Sequence, residues 1–231
     1  GGRRIRLKNA LASSFGGMHW HTRVTLSDHG LYHGIVLRSG EEVAEIALGV
    51  AGQHNLWNAS MALAVCAACG IEPSAAAEAL GEFTGAERRM TEVGRFKGAL
   101  VVDDYGHHPT EIQTTLKALR ERYSPRRLIC VFQPHQASRT RLLLDEFGRS
   151  FAWADQVLLP DIYSVRDSEE DRRSVSSADL AARITANGRI ARHLPTFGEI
   201  IEYLNGEARP EDLIVTMGAG NVCQISRQLV G

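Results

Sequence analysis

The chain has 231 residues, 44% of them hydrophobic and 23% charged, which is ordinary usage for a globular protein of one large domain or two modest ones. Its 26 Lys plus Arg nearly cancel 27 Asp plus Glu, so no net field points to nucleic acid or an acidic membrane surface. No apolar run approaches the roughly 20 residues that cross a bilayer, and four cysteines (Cys66, Cys69, Cys130, Cys223) are too few for a disulfide framework, so the expectation is a reducing cytoplasm.

In chain order, the start Gly-Gly-Arg-Arg-Ile-Arg has neither Met nor a signal core, and is expected to be the cut edge of a longer chain. Residues 1–20 carry no pattern that assigns an element. Thr22–Leu26, Leu31–Leu37 and Val43–Leu48 have β character and are punctuated by Asp28-His-Gly30 and Arg38-Ser-Gly40, which predicts an antiparallel meander. An apolar helix follows from about Gln53 to Cys69 with Gly70 closing it, and a second begins at Pro73-Ser74. Cys66 and Cys69 fall late in the first of these helices, where two packed core thiols are expected rather than a redox pair.

From Glu92 onward strands and helices alternate. Strands are expected near 93–96, 99–104, 128–132, 156–159, 190–194 and 213–217. Helices are expected over 109–122, from about Arg141, near 177–187, near 197–205 and from about Asn221, with Asp167 to Arg173 a charged loop. Such alternation predicts an α/β fold: a mostly parallel, Rossmann-like six-stranded domain, preceded by a partial α/β domain that carries the meander. The domains are read as 1–88 and 89–231.

Ligands of open α/β sheets bind beyond the carboxyl ends of the strands. Three polar segments stand out. Asp103-Asp-Tyr-Gly-His-His-Pro-Thr-Glu111 leaves a strand and opens a helix at Pro109, with Glu111 at its positive end. Two acids, a tyrosine and two histidines there suit a ligand. The alternatives are turn capping or a metal at His107 and His108, although no H-x-x-x-H spacing supports the latter. Phe132-Gln-Pro-His-Gln-Ala-Ser-Arg-Thr-Arg141 offers His135, Ser138, Arg139 and Arg141 at a loop-to-helix junction. Arginine forks there suit carboxylate or phosphate oxygens; the plainer reading is a surface loop with Ser138 capping its helix.

Gly52-Gln-His-Asn-Leu-Trp-Asn58 opens the long apolar helix with His54, Asn55 and Asn58 on one side, and either capping or ligand binding accounts for them. Gly85-Ala-Glu-Arg-Arg89 adds two arginines at the expected domain boundary, where ligand sites are frequent. Gly218-Ala-Gly-Asn221 is an incomplete dinucleotide fingerprint, better read as a close strand-to-helix turn.

Taken in order, Gly52-x-His-Asn-x-x-Asn58, Gly85-x-x-Arg-Arg89 and Asp104-Tyr-Gly-His-His-Pro109 resemble markers of the Mur ligase family. The resemblance implies the later part of a central ATPase domain and a whole C-terminal domain. It implies ATP as co-substrate with Mg²⁺, whose protein ligands would lie upstream, so no metal site is expected within the chain. His54, Asn55, Asn58, Arg89 and Asp104 would serve the nucleotide. Tyr105, His107, His108, His135 and Arg139 would serve the substrates, with His107, His135 and Arg139 nearest the chemistry.

Gln133-Pro-His-x-x-Ser-Arg-Thr140 is most similar to the branch that joins L-alanine to UDP-N-acetylmuramate, although Gln136-Ala137 stand where that branch usually has Arg and an aromatic residue. A related branch that recycles murein tripeptide favours Phe-Ala over Tyr105-Gly106. No G-x-x-x-x-G-K-[ST] occurs in the chain, so it is expected not to turn over by itself. The oligomeric state is not fixed, and a homodimer is compatible with the resemblance. Outside the family, the rival readings are an inactive nucleotide- or partner-binding module and a nicotinamide oxidoreductase.

Overall fold

The computed structural model describes residues 5–15, 18–26 and 31–231. They divide into two compact units, one running through Gly85 and including 121–123, the other made of Ala86–Arg120 and Ser124–Gly231.

The first unit holds β1 (Ile5–Phe15), β2 (Met18–Leu26), β3 (Leu31–Arg38) and β4 (Glu41–Ala51), an antiparallel sheet in that order, then α1 (Gln53–Ala68) and α2 (Pro73–Gly81). Alternation along β3 buries Tyr32, Gly34 and Val36. With Trp20, Val24 and Ile46 these face Leu56, Ala59 and Leu63 of α1. Gly34 is where the helix comes close: a Cβ there would meet the Thr22 methyl at 2.7 Å and Leu56 Cδ1 at 3.0 Å. The expected turn at Arg38-Ser-Gly40 forms with Ser39 and Gly40 both at positive φ (51° and 92°), the backbone a tight hairpin requires. The turn expected at Asp28–Gly30 lies outside the described residues.

β1 is a finding, because the sequence assigned nothing to residues 1–20. Ile-Arg-Leu-Lys-Asn-Ala-Leu has few β-branched residues, and what makes it a strand is its register with β2, from Ile5 opposite Leu26 to Phe15 opposite Met18. α1 ends as expected: Gly70 at φ 85° donates to Ala67 O (3.1 Å) and Ile71 to Cys66 O (3.0 Å), a paired C-terminal closure that needs the left-handed glycine. The thiol expectation needs correcting. Cys66 is half-buried against the core, but Cys69 is the C-cap of the helix and is exposed.

The second unit contains β5 (Thr91–Phe96), β6 (Ala99–Asp104), α3 (Pro109–Tyr123), β7 (Leu128–Phe132), α4 (Ala137–Leu142), α5 (Leu144–Arg149) and β8 (Gln156–Leu159). After these come α6 (Glu169–Ser174), α7 (Ser177–Ala186), β9 (Ile190–His193), α8 (Phe197–Glu207), β10 (Leu213–Met217) and α9 (Cys223–Val230). The sheet order is β5-β6-β10-β7-β8-β9, parallel except for β5. β7, β8 and β10 are buried at every residue, as a sheet covered on both faces demands.

Two local expectations fail. The helix expected from Arg141 begins at Ala137 and breaks at Leu143. Asp167–Arg173, expected as a loop, contains α6, whose first turn is acidic and last turn basic and whose N–H at Asp171 is capped by Ser168. It buries no residue, so it lacks the apolar stripe by which helices are recognised.

The topology places the chemistry. β10 is last in sequence yet lies between β6 and β7, with Met217 paired to both Asp104 and Phe132. The segments leaving β6, β7 and β10 therefore emerge side by side at one sheet edge.

Candidate functional site

β6 carries Asp103 and Asp104 to that edge, and both are buried, at 4% and 2% exposure. Two buried carboxylates need partners. Asp103 accepts from Arg88 Nε at 2.8 Å and from Thr216 Oγ1 at 2.7 Å. Arg88, in left-handed backbone at φ 56°, also donates to Gly218 O at 2.8 Å, which ties the ends of β6 and β10 together. Asp104 accepts from the Gly106 N–H (2.7 Å), the Met90 N–H (3.0 Å) and Thr115 Oγ1 (3.4 Å). Burial raises its pKa above the usual carboxylate value; the two backbone N–H groups and Arg89 only partly offset this.

Arg88 and Arg89 place their guanidinium carbons 5.0 and 5.8 Å from the Tyr105 ring centre. Glu111 accepts from the His107 and His108 N–H groups at 2.9 and 3.1 Å, and Arg89 lies 3.7 Å from its other oxygen. Burial pushes the Glu111 pKa up, but these donors and cations outweigh it and hold the group below its ordinary value. His108 is the N-cap of α3, its ring nitrogen accepting from Thr110 N–H at 3.4 Å, so capping accounts for this imidazole. His107 contacts Tyr105 O through Nδ1 (3.1 Å), and its ring lies 6.4 Å from that of His135. Among the described residues no three His, Cys, Asp or Glu side chains stand where they could hold a metal ion.

From β7 come Gln133, His135, Gln136 and Arg139. Gln133 is 5% exposed and its Oε1 has no partner. Gly220 passes close beside it: a Cβ there would sit 2.6 Å from that oxygen and 3.0 Å from the Tyr163 ring. His135 stacks on Tyr163 (centroids 5.6 Å apart, 29° between planes), and its buried Nδ1 is also unpartnered. Burial, then Arg139 and His107, lower the His135 pKa below the ordinary 6.5, with Asp167 opposing them. Arg139 donates through Nη2 to Gln136 Oε1 at 3.1 Å and leaves Nη1 buried without a partner, as is Asn221 Oδ1.

The plainer alternative for this segment, capping of its helix by Ser138, does not form: α4 has no side-chain cap of its own. Asp167 accepts the N–H groups of Ala137 (2.7 Å) and Ser138 (3.2 Å), and Ser138 Oγ also donates to it (2.8 Å).

The fold thus gathers Arg89, Asp104, Tyr105, His107, His135 and Arg139 in the second unit. His54, Asn55 and Asn58 lie in the first, at the start of α1. There Asn55 Nδ2 donates to Ala51 O at 2.7 Å, His54 is half-buried and Asn58 is exposed. The sequence missed Tyr163, Asp167 and the orphaned Gln133. The first two lie in the loop after β8, and weighing the polar residues of the loop after each parallel strand would have raised them. The whole constellation suits the neutralising and positioning of carboxylate and phosphate oxygens, with cations, donors and a buried acid but no nucleophile–base pair.

Residues 88–220 match the family model described as Mur ligase, glutamate ligase domain. A UDP-N-acetylmuramate–L-alanine ligase of Acetivibrio thermocellus is 42% identical over 207 residues, which cover 90% of this chain and 44% of that protein. A UDP-N-acetylmuramate–alanine ligase from Thermotoga maritima superposes with a TM-score of 0.73 at 22% identity, over 91% of this chain and 45% of that one. A murein peptide ligase from Psychrobacter arcticus gives 0.67 at 26% identity, over 91% and 43%. The chain spans less than half the length of these relatives.

Proposed function

Because the chain belongs to the Mur ligase family, we propose that it forms part of an ATP-dependent ligase that joins L-alanine to UDP-N-acetylmuramate. The observation that carries this reading is the convergence of Asp104, Tyr105, His107, His135 and Arg139 at the sheet edge where the segments leaving β6 and β7 emerge on either side of β10. In the proposed reaction the γ-phosphoryl group of ATP passes to the lactyl carboxylate, giving an acyl phosphate and ADP. The alanine nitrogen attacks the carbonyl carbon, and phosphate leaves with one carboxylate oxygen.

Such a reaction asks the protein for charge neutralisation and alignment rather than for a covalent nucleophile. Arg89 is assigned to the phosphates and Asp104 to the nucleotide ribose, with His54, Asn55 and Asn58 also on the nucleotide. Arg139 and His107 are assigned to the substrate carboxylates, beside Tyr105 and His108. His135, with its pKa depressed, is neutral near pH 7 and suited to accept a proton from the alanine amine nitrogen as its bond to the carbonyl carbon forms. Mg²⁺ would add charge neutralisation at the phosphates, but the described residues offer no set of ligands that fits it, so no step is derived through it. The phosphate-binding lysine loop is absent from the sequence, so the chain by itself is proposed not to turn over. The cytoplasm is the proposed compartment; among the described residues no helix is long and apolar enough to cross a membrane.

The murein peptide ligase likeness supports a second reading, tripeptide recycling. Gly106 argues against it: the Phe-Ala of that branch would set a Cβ 2.8 Å from Asp104 Oδ1 on this backbone.

The test joins the chain to the part of the Acetivibrio thermocellus ligase that it does not match, and measures ADP release with ATP, Mg²⁺ and UDP-N-acetylmuramate, with and without L-alanine. Release should require both substrates and fall about tenfold or more in Asp104→Ala. A folded chimaera that releases no ADP under these conditions would sink the reading.

A further inference from the structure

Two polypeptide segments that are distant in sequence are fastened to each other beside His135, and the fastening has no part in the reaction as proposed above. The loop after β8 runs back along the segment after β7. Tyr163 N–H donates to Pro134 O at 2.9 Å, and Gln136 N–H donates to Tyr163 O at 3.0 Å, so His135 and Tyr163 form an isolated parallel bridge. Four residues on, Asp167 accepts the Ala137 and Ser138 N–H groups at the start of α4 together with the Ser138 hydroxyl. Those donors hold its pKa below the usual carboxylate value although burial opposes them, so it is ionised at neutral pH.

The consequences converge on the same place. The loop stacks Tyr163 at a tilt on the His135 ring, and Tyr163 also closes the space that Gly220 leaves open beside the orphaned Gln133 oxygen. Fixing the first turn of α4 fixes Gln136, whose strained backbone at φ 69° aims its amide oxygen at Arg139. A residue held at positive φ without being glycine persists only where its surroundings over-determine it. Here the surroundings are the Tyr163 and Asp167 contacts. Gln136 then holds one nitrogen of Arg139 and leaves the other, buried and unpartnered, beside the imidazole.

We propose that Asp167 and Tyr163 are positioning residues for the amino-acid side of the site. Asp167 ties the 163–167 loop to α4 so that Tyr163 orients the His135 ring and Gln136 orients Arg139. The inference rests on the ligase reading for its substrate, but the tie itself is a property of this chain and can be tested on it directly.

Two measurements decide it. The first uses the 231-residue chain and follows the His135 ring-proton shifts by NMR in the wild type, Tyr163→Ala, Asp167→Ala and Asp167→Asn. Stacking on Tyr163 moves those protons upfield. Tyr163→Ala should abolish the displacement, Asp167→Ala should lose most of it, and Asp167→Asn, which keeps an acceptor oxygen, should retain part. His135 shifts that stay put in a folded Asp167→Ala protein would overturn the proposal. The second uses the chimaera described above, where Asp167→Ala should raise KM for L-alanine roughly ten- to a hundredfold, as small displacements of aligned groups do, while KM for ATP holds. An unchanged KM for alanine, or an equal rise in both constants, would remove the positioning role. If the chimaera releases no ADP at all, the ligase reading fails, and the NMR comparison still decides whether Asp167 and Tyr163 hold the imidazole.

Discussion

Gly106 has no room for a side chain, because a Cβ there would press to 2.8 Å on the Asp104 oxygen that its own N–H holds. Gly106→Ala should therefore cost about 1–3 kcal/mol of stability as overpacking, read by urea denaturation, and should move the carboxylate. A variant as stable as the wild type would show that the strand end relaxes freely. The acids and histidines of this segment were legible from residue type alone, since so many polar groups at a strand end need an occupant. Their division of labour was not. Nothing in Asp103-Asp104 tells which carboxylate serves Arg88 and which takes backbone donors, and nothing in His107-His108 tells which ring caps α3. Those assignments depend on Arg88, Met90 and Thr216, residues brought in by topology.

At the scale of elements, β10 is held at its start by Asp212, which is almost fully buried and receives a two-nitrogen fork from Arg127 (3.0 and 2.6 Å) and the Arg209 N–H (2.8 Å). Burial opposes the charge, yet these donors, Arg127 foremost, hold the Asp212 pKa below its ordinary value. A carboxylate whose folded pKa is depressed stabilises the fold above its unfolded pKa, and that contribution is lost as pH falls through the folded one. Arg127→Ala should cost about 2–3 kcal/mol at pH 7, and the difference from wild type should shrink once the pH drops below 3.8, the ordinary value for Asp. A difference that does not change with pH would show that the arginine acts by packing alone. A milder prediction concerns α8, where Thr196 and Glu199 bond each other's backbone N–H. Thr196→Ala should cost about 1 kcal/mol, and no loss in thermal unfolding would contradict the cap.

Most elements of the second unit were legible because their strands are wholly apolar and their helices amphipathic. α6 was missed because it has no apolar face, and β1 because only its pairing makes it a strand. α1 presents the converse case: no Asp, Glu, Lys or Arg in its 16 residues, one face on the sheet, and Trp57, Met61 and Val65 exposed on the other. A helix apolar on both faces is the kind that larger proteins cover twice.

For the second unit as a whole, the order β5-β6-β10-β7-β8-β9 turns the segments leaving β6, β10 and β7 into one site, and no single segment contains the instruction to do so. Alternation gave the parallel sheet, but the insertion of β10 between β6 and β7 is a matter of long-range packing. That site is proposed to serve an acyl-phosphate route to an amide. The direct test labels both oxygens of the lactyl carboxylate of UDP-N-acetylmuramate with ¹⁸O and runs the chimaera with ATP, Mg²⁺ and L-alanine. Mass spectrometry of the released phosphate should find one labelled oxygen in each phosphate, with the other kept in the new amide. Amide product accompanied by unlabelled phosphate would contradict the route and the roles assigned along it.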